Sequence, residues 1–312
     1  MGKAAGVTDR ARAEESRFQG EPAVELAAGA VTATFLPDVG MTGVSLRHRG
    51  RERLALRGGL DTLRAGQTAG LPLLAPWANR LSRWRYTAAG VDVDLNGLPL
   101  RVDGDTGLPI HGLVVGQPGW SVDGLVADGA GAELRASRLL DDRAFPFPHR
   151  LALTARVGDD RLRVDTTIIP TGDRPVPVAV GWHPYLTLPE APRSAWHLRA
   201  PARTHLVPDE RGIPTGAREP APAEDGPLGE RSYDDLYELG DDRRLAFALD
   251  DGTAVELHAD AGYPFAQVWV PPGQPFAALE PMAAPTDALV AGTAPTVASG
   301  DAFTATFALA LS

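Results

Sequence analysis

Four short polar clusters interrupt apolar or Pro/Gly-rich parts of the sequence, and each carries a side chain able to bind a ligand or transfer a proton. They are Pro76-Trp77-Ala78-Asn79-Arg80, Leu108-Pro109-Ile110-His111-Gly112, Gly181-Trp182-His183-Pro184-Tyr185 and Ala278-Leu279-Glu280-Pro281. The chain has no cysteine, which excludes disulfides, thiolate metal sites and cysteine nucleophiles. Any chemistry must therefore come from oxygen and nitrogen groups.

His183 and Glu280 are the residues best suited to acid/base chemistry. Pro184 biases His183 towards an extended conformation, and an imidazole at the end of a strand suits proton transfer near neutral pH. Glu280 follows the apolar run from Phe276 to Leu279, which predicts a buried strand with the carboxylate at its end. Apolar surroundings would raise its pKa towards the range of a general base or acid. A structural histidine and a solvent-exposed glutamate remain alternatives.

Arg80, His111 and the Asp234-Asp235 pair are candidates for ligand binding. The Arg80 guanidinium can donate two hydrogen bonds to adjacent hydroxyls, or it can pair with a carboxylate to hold a turn. His111 lies in a constrained apolar setting, where a lone histidine is more often structural. Either aspartate can accept hydrogen bonds from a ligand or cap a turn. Trp182 and Tyr185, beside the histidine, could form an apolar wall.

The elements that must position these residues are predicted to be strands. The sequence contains 34 Gly and 28 Pro residues, which interrupt helices and supply turns. Residues alternate with period two in four places. These are a half-buried strand over 303–311, a hairpin with Leu245, Phe247 and Leu249 before the Asp250-Asp251-Gly252 turn, a strand at 91–95 before Asn96-Gly97, and one at 162–168 before Pro170.

This pattern predicts an all-β protein, a large sandwich or barrel whose concave sheet can hold a ligand. Convincing long helices are absent. The segment from Asp9 to Phe18 has helical composition without an apolar stripe, so we predict a flexible N-terminal segment over residues 1–20. Residues 21–312 are predicted to form a single domain. The Pro-rich region from Pro189 to Leu228 is predicted to be a long loop or strand-connecting excursion.

Charge and hydropathy exclude several classes of partner. The formal net charge is -10, from 40 acidic and 30 basic residues, which disfavours nucleic acid and anionic membrane surfaces. The first twenty residues carry charges throughout and lack the apolar segment of a secretory signal. No apolar run approaches the roughly 20 residues that span a bilayer. We therefore expect a cytoplasmic protein that binds neither nucleic acid nor membranes.

Taken together and in this order, the polar segments resemble the aldose 1-epimerase (galactose mutarotase-like) family from about Val24 to the C-terminus. The motifs are Asn79-Arg80, Ile110-His111-Gly112, Gly181-Trp182-His183-Pro184-Tyr185, Tyr233-Asp234-Asp235-Leu236-Tyr237 and Leu279-Glu280-Pro281. Each is weak alone, but five in the same order on a β-rich chain are specific. Some members carry an Asn shortly before the first histidine, where this chain has Leu108 and Pro109.

The resemblance implies a β-supersandwich with large antiparallel sheets and an open sugar-binding cleft. It implies Glu280 as catalytic base and His183 as general acid, with the carboxylate and the imidazolium opening the hemiacetal ring of a free hexose such as glucose or galactose. Arg80, His111 and Asp234 would orient the substrate; Asp234 is preferred to Asp235 because the family places the aspartate three residues before an aromatic. Asn79 and Tyr185 are further substrate-binding candidates. The resemblance also implies that no cofactor or metal is needed, and we expect a monomer or a homodimer.

Four alternatives stay open. A non-catalytic carbohydrate-binding protein would keep the cleft but would not need both Glu280 and His183. A hexose-6-phosphate 1-epimerase would need a cationic subsite, for which Arg203, Arg211 and Arg231 are candidates. A glycoside hydrolase would use two carboxylates, Glu280 and Asp234. A metal site built on His111 and His183 lacks the short ligand spacing that would make it convincing.

Overall fold

Antiparallel strands make up most of the protein, and a computed structural model describes residues 10–312. The first half of the described chain contains β1 (Arg12–Phe18), β2 (Glu21–Ala28), β3 (Val31–Leu36), β4 (Thr42–His48), β5 (Arg51–Glu52), β6 (Leu73–Leu74), β7 (Arg85–Ala88), β8 (Val91–Asp94), β9 (Ser121–Asp128), β10 (Gly131–Asp142), β11 (Phe145–Gly158), β12 (Arg161–Pro170) and β13 (Val176–Pro177). Helical structure there is limited to α1 (Gly59–Arg64) and a 3₁₀ turn at Pro37–Val39.

The second half continues the same pattern of short strands. It contains β14 (Gly181–Trp182), β15 (Tyr185–Leu186), β16 (His197–Ala200), β17 (Arg203–Pro208), β18 (Pro214–Ala221), β19 (Glu224–Pro227), β20 (Tyr233–Leu239), β21 (Arg244–Ala248), β22 (Ala254–Ala259), β23 (Phe265–Val270), β24 (Ala277–Met282), β25 (Thr296–Val297) and β26 (Phe303–Leu311). A 3₁₀ turn at Arg193–Ala195 and the single-turn helix α2 (Ala288–Ala291) complete it.

Three large sheets form two layers. The nine-stranded sheet has the strand order β19-β16-β21-β22-β26-β12-β11-β10-β9. The eight-stranded sheet has the order β18-β17-β20-β23-β24-β14-β6, and β15 also pairs with β24. The five-stranded sheet contains β1 to β5 in sequence order. In β12, Leu162 and Val164 are buried while Arg161 and Arg163 are exposed, so the nine-stranded sheet covers the core with one face. The two smaller sheets pack against that face, because one hydrophobic cluster contains residues from all three.

The fold predicted from the sequence is confirmed: the protein is an all-β sandwich of large antiparallel sheets. The strands predicted at 91–95, 162–168 and 303–311 correspond to β8, β12 and β26, and the hairpin around Asp250-Asp251-Gly252 is formed by β21 and β22. The C-terminal strand β26 is more deeply buried than the half-buried strand that the sequence predicts. It lies in the middle of the nine-stranded sheet between β22 and β12, so Phe307 and Leu309 are inaccessible to solvent.

Two segments differ from the prediction. Arg12–Phe18, within the segment predicted to be flexible, forms β1, because pairing with β2 satisfies its backbone and Arg12 reaches Glu25 at 2.9 Å. Residues 1–9 lie outside the described part of the chain. The region 189–228 forms β16–β19 instead of a loop, because Leu198 and Leu228 anchor it in the core. Its prolines are tolerated at sheet edges, where β18 and β19 lie.

Between residues 10 and 312, no helix has both the length and the apolar character needed to cross a membrane. The cytoplasmic location stays a prediction from the sequence.

A matched pair of leucine substitutions tests the position of the core. Leu309→Ala in β26 removes a side chain with 0% exposure and should lower the free energy of unfolding by about 2–5 kcal/mol. Leu139→Ala in β10 removes one that is 64% exposed and should change it by no more than about 0.5 kcal/mol. Urea denaturation measures both values, and equal losses would contradict this assignment of the core.

Candidate active site

All seven residues selected from the sequence line one cavity of about 1260 Å³. They are Asn79, Arg80, His111, His183, Tyr185, Asp234 and Glu280. Five separate stretches of the chain, one from each motif, therefore converge on this cavity. The cavity is open to solvent on one side and reaches into the eight-stranded sheet on the other.

The register of β24 brings His183 and Glu280 together. Gly181 in β14 is paired with Met282, and Tyr185 in β15 is paired with Ala278, so the same antiparallel register sets His183 opposite Glu280. Pro184 lacks a backbone N–H and interrupts the ladder between the two short strands. The His183 N–H donates instead to the carbonyl oxygen of Pro72 at 3.1 Å.

Glu280 lies within β24, not at the strand end predicted from the sequence. On its other side the register pairs Glu280 with Gln267 of β23, and every residue of β24 is buried. Side chains alternate between faces along a strand, so Glu280 faces the cavity while Leu279 faces the core. The strand therefore supplies a carboxylate to the floor of the cavity from within a buried sheet.

His183 and Glu280 are in direct contact. The His183 Nε2 atom lies 3.3 Å from Glu280 Oε1, with side-chain exposures of 7% and 3%. The Nδ1 atom of His183 is buried and has no hydrogen-bond partner in the part of the chain that the structure describes. Nε2 is therefore the ring nitrogen placed to exchange a proton.

Burial controls the protonation of this pair. It raises the pKa of Glu280 well above its ordinary value of 4.5, and the neighbouring Asp234 carboxylate acts in the same direction. Burial also lowers the pKa of His183 from 6.5 to about 3. Burial thus favours a neutral pair with its single proton on Glu280, which differs from the carboxylate and imidazolium expected from the sequence.

Aromatic rings hold the imidazole of His183 in place. Tyr185 stacks on it at 4.4 Å with an interplanar angle of 11°, and the Tyr185 hydroxyl is bonded to Thr68 Oγ1 at 2.6 Å. Trp269 meets the same imidazole edge-to-face at 5.3 Å and lines the cavity. Trp182 does not form the wall suggested by its position in the motif. Its Nε1 donates to Thr166 Oγ1 in the core, where the side chain is fully buried.

Asn79 and His111 fix each other through reciprocal hydrogen bonds. The His111 N–H donates to the Asn79 carbonyl oxygen at 3.0 Å, and the Asn79 N–H donates to His111 Nδ1 at 3.2 Å. Both residues have left-handed backbones, with φ of 56° and 62°. Such conformations persist only where the surroundings enforce them. Gly112, with φ of 67°, completes the turn; a Cβ there would lie 2.1 Å from the carbonyl oxygen of Ala75.

These bonds determine which nitrogen of His111 carries the proton. Burial holds the pKa of His111 well below 6.5, with His183 acting in the same direction, so the ring is neutral. Since Nδ1 accepts from Asn79, the proton resides on Nε2. His111 can therefore donate a hydrogen bond into the cavity.

Arg80 and Asp234 are positioned by neighbours in the cavity wall. Arg80 Nε donates to Asp103 Oδ2 at 2.8 Å, and an Arg80 terminal nitrogen lies 3.9 Å from Asp234 Oδ2. Gln267 Nε2 donates to Asp234 Oδ1 at 2.7 Å. Asp235 points to the other face of β20 and contacts His205 at 3.0 Å. Of the two adjacent aspartates, Asp234 is the one that lines the cavity.

Gln267, Trp269 and Asp103 are among the cavity residues that were missed from the sequence. Gln267 and Trp269 alternate with buried apolar residues in β23, so a glutamine and a tryptophan on one face of an apolar strand were the available signal. Asp103 lies in the irregular segment before His111 and becomes significant only through its bond to Arg80. No local pattern indicates that pairing.

Two of the alternatives depend on side chains whose positions the structure describes. Across residues 10–312, no three His, Asp or Glu side chains converge closely enough to hold a metal ion. The arginines considered for a phosphate subsite already have carboxylate partners. Arg203 and Arg231 pair with Glu224, and Arg211 pairs with Asp209. None of the three arginines lines the cavity.

Comparison with solved structures shows the fold. The fold is the galactose mutarotase-like β-supersandwich. A galactose mutarotase-like protein from Clostridium acetobutylicum matches with a TM-score of 0.83 at 18% identity, over 96% of this chain and 98% of that one. The galactose 1-epimerase from Lactobacillus acidophilus matches with a TM-score of 0.75 at 14% identity, over 97% and 98%. The Slr1438 protein from Synechocystis matches with a TM-score of 0.75 at 22% identity, over 100% and 99%.

The sequence shows the family within this class. The family model for aldose 1-epimerase matches residues 22–309, and the chain belongs to that family. It is therefore an isomerase that acts on carbohydrates. A comparison with curated proteins found no match.

Proposed function

We propose that this protein is an aldose 1-epimerase that interconverts the α and β anomers of a hexose, with Glu280 as base and His183 as acid. The observation that carries the proposal is the direct contact of these two side chains, 3.3 Å apart, on the buried floor of an open polar cavity. A carbohydrate-binding protein without activity would have no use for such a pair, whose burial opposes charge on both groups.

The substrate is an aldose with a free C1 hydroxyl, such as glucose or galactose or a derivative modified away from C1. Arg80, His111 and Asp234 offer donors and an acceptor to its hydroxyl groups from the cavity wall. Trp269 supplies a partly exposed ring for an apolar sugar face. Asn79 and Tyr185, whose polar groups are bonded within the protein, act mainly by positioning His111, Arg80 and His183.

In the reaction Glu280 removes the proton from the C1 hydroxyl while His183 Nε2–H protonates the ring oxygen, and the bond from C1 to the ring oxygen breaks. The open-chain aldehyde then rotates about the bond between C1 and C2. Attack of the C5 hydroxyl on the opposite carbonyl face, with the two proton transfers reversed, gives the other anomer. No electrons are exchanged and the protons balance over one cycle.

Glu280 and His183 together hold one proton, which is the number that the proposed reaction needs. Transfer of the single proton from Glu280 to His183 produces a carboxylate and an imidazolium without changing the net charge of the cavity. Arg80 favours the carboxylate form, since its charge acts to lower the pKa of Glu280. The pair is active when it holds one proton and inactive when it holds none or two.

We further propose that residues 21–312 work as one domain, in accord with the sequence prediction. A single hydrophobic cluster joins residues from Val24 to Leu311 and includes strands of all three large sheets. The cavity is built on the same cluster, because Leu279 and Trp182 belong to it and flank the catalytic pair in sequence.

Glutamine substitutions test the two assigned roles. Glu280→Gln and His183→Gln should each lower kcat by about 10²–10⁴-fold, because each removes a proton-transfer group while keeping a similar volume. Anomer interconversion is measured by polarimetry on freshly dissolved α-glucose and α-galactose, after subtraction of the buffer rate. The matched control is Glu219→Gln, an exposed glutamate in β18 outside the cavity, which should keep the parent rate. Full turnover by folded Glu280→Gln protein would refute the role of the carboxylate.

The pH dependence of kcat/KM tests the buried pair. A second proton adds to His183 only near its lowered pKa of about 3, and the remaining proton leaves only above the raised pKa of Glu280. We therefore expect no loss of kcat/KM as the pH is lowered through 6.5, the ordinary pKa of histidine, and a fall only as the pH approaches about 3. Buffer-corrected rates, with circular dichroism at each pH, measure this. A loss of activity on acidification centred near 6.5 in folded protein would contradict the lowered pKa of His183.

A further inference from the structure

Each nitrogen of the Arg80 guanidinium meets a different neighbour in the cavity wall. Nε donates to Asp103 Oδ2 at 2.8 Å. Nη1 donates to Asn79 Oδ1 over a longer 3.4 Å, and Gly212 packs on it so closely that a Cβ there would lie 2.9 Å away. Nη2 makes no hydrogen bond within residues 10–312 and lies 3.9 Å from Asp234 Oδ2. Nη2 is therefore the nitrogen that Arg80 has available for a hydroxyl group of the substrate.

Asp234 likewise keeps one carboxylate oxygen available. Gln267 Nε2 donates to Asp234 Oδ1 at 2.7 Å, whereas Oδ2, the oxygen nearest Arg80, accepts no hydrogen bond in the part of the chain that the structure describes. The 3.9 Å between Arg80 and Asp234 exceeds the roughly 2.7–2.9 Å of a charge-assisted hydrogen bond. The two side chains therefore lie close together without forming a hydrogen-bonded pair, and each has an atom free to bind a ligand.

Hydrogen bonds fix the Asp103 carboxylate that holds Arg80. The Thr106 hydroxyl donates to Asp103 Oδ2 at 2.7 Å. The Asp103 N–H donates to the Leu108 carbonyl oxygen and the Gly107 N–H donates to the Asp103 carbonyl oxygen, each at 2.9 Å. Burial acts to raise the pKa of Asp103, but the hydrogen bonds from Arg80 and Thr106 outweigh it, so the pKa is lowered. Asp103 is therefore a charged and fixed partner for Arg80.

The two carboxylates compete for one guanidinium. The Arg80 side chain is 16% exposed, so its charge is only partly solvated and needs a counter-ion. Without the Asp103 carboxylate, Asp234 would be the nearest remaining one. A movement of about 1 Å would then close the 3.9 Å gap to a direct ion pair. That pair would occupy the free nitrogen of Arg80 and the free oxygen of Asp234 together.

We infer that Asp103 is a positioning residue of the sugar site, which holds Arg80 away from Asp234 so that both side chains stay available to hydroxyl groups of the substrate. This inference deepens the proposed function and rests on it, because it concerns how the same cavity binds an aldose. It also bears on specificity. Two carboxylates flank one guanidinium, so this part of the wall suits an uncharged hydroxyl and opposes an anionic substituent.

The test measures KM and kcat separately for anomer interconversion of glucose and galactose by exchange NMR. Asp103→Ala removes the carboxylate, and Asp103→Asn keeps its volume and an oxygen that can accept from Arg80 but removes the charge. The matched control is Asp94→Ala, which removes a carboxylate bonded to Arg85 Nε at 3.0 Å in the exposed β7–β8 hairpin, outside the cavity. Arg80→Ala and the double variant Arg80→Ala/Asp103→Ala show whether Asp103 acts through Arg80.

We expect KM to rise by about 10–100-fold in Asp103→Ala, as for loss of a hydrogen bond to a charged group. The value of kcat should be nearly unchanged, because ground state and transition state lose the same contacts. Asp103→Asn should raise KM by a smaller factor, about 3–10-fold, since a neutral acceptor holds a guanidinium less strongly. Asp94→Ala should keep the parent KM. In the absence of Arg80, Asp103→Ala should raise KM no further, because the two residues act as one unit.

The outcomes separate this inference from the proposed function. The parent value of KM in either folded Asp103 variant overturns the inference and leaves the epimerase proposal standing. The same holds if Asp103→Ala raises KM equally with and without Arg80, since Asp103 would then act on the loop alone. If Asp103→Ala does not fold, Asp103→Asn decides the matter. If the parent protein interconverts neither sugar, it is the proposed function that is overturned.

Discussion

The antiparallel register of β24 is the constraint on which the rest of the site depends. It sets Glu280 opposite Gln267 on one side and, through the pairs at Gly181 and Tyr185, opposite His183 on the other. A slip of one residue would turn Glu280 into the core and Leu279 into the cavity. The core prevents this slip because Leu279 and Val268 are fully buried in it. Packing on the core face of the sheet thus determines which side chains of β24 face the cavity.

The same burial that fixes the pair also sets its proton content. Two ionisable groups on the floor of a sheet cannot both become charged independently, so burial drives their pKa values in opposite directions and leaves one proton between them. This is the state that acid/base opening and closure of a hemiacetal require. Of the charged groups in the cavity wall, Asp234 raises the pKa of Glu280 further and Arg80 acts to lower it.

Sequence reasoning succeeded where the information was local. Period-two alternation identified β12 and β26, and the five motifs identified residues that all line one cavity. It failed where strand pairing decides the outcome. In Ala277–Met282, apolar residues lie on both sides of Glu280. The sequence there does not distinguish a strand that ends at the carboxylate from one that continues past it. Edge strands such as β1 and β18 carry polar or proline-rich sequences that resemble loops.

Exchange NMR on an equilibrated aldose tests the central claim most directly, because it observes the exchange of anomers without any net reaction. With the parent protein, cross-peaks should connect the H1 signals of the α and β anomers of glucose, galactose or a C6 anionic derivative at mixing times where buffer alone gives none, and no new sugar should form. Anomer exchange no faster than in buffer for every one of these sugars, with folded protein present, would contradict the account.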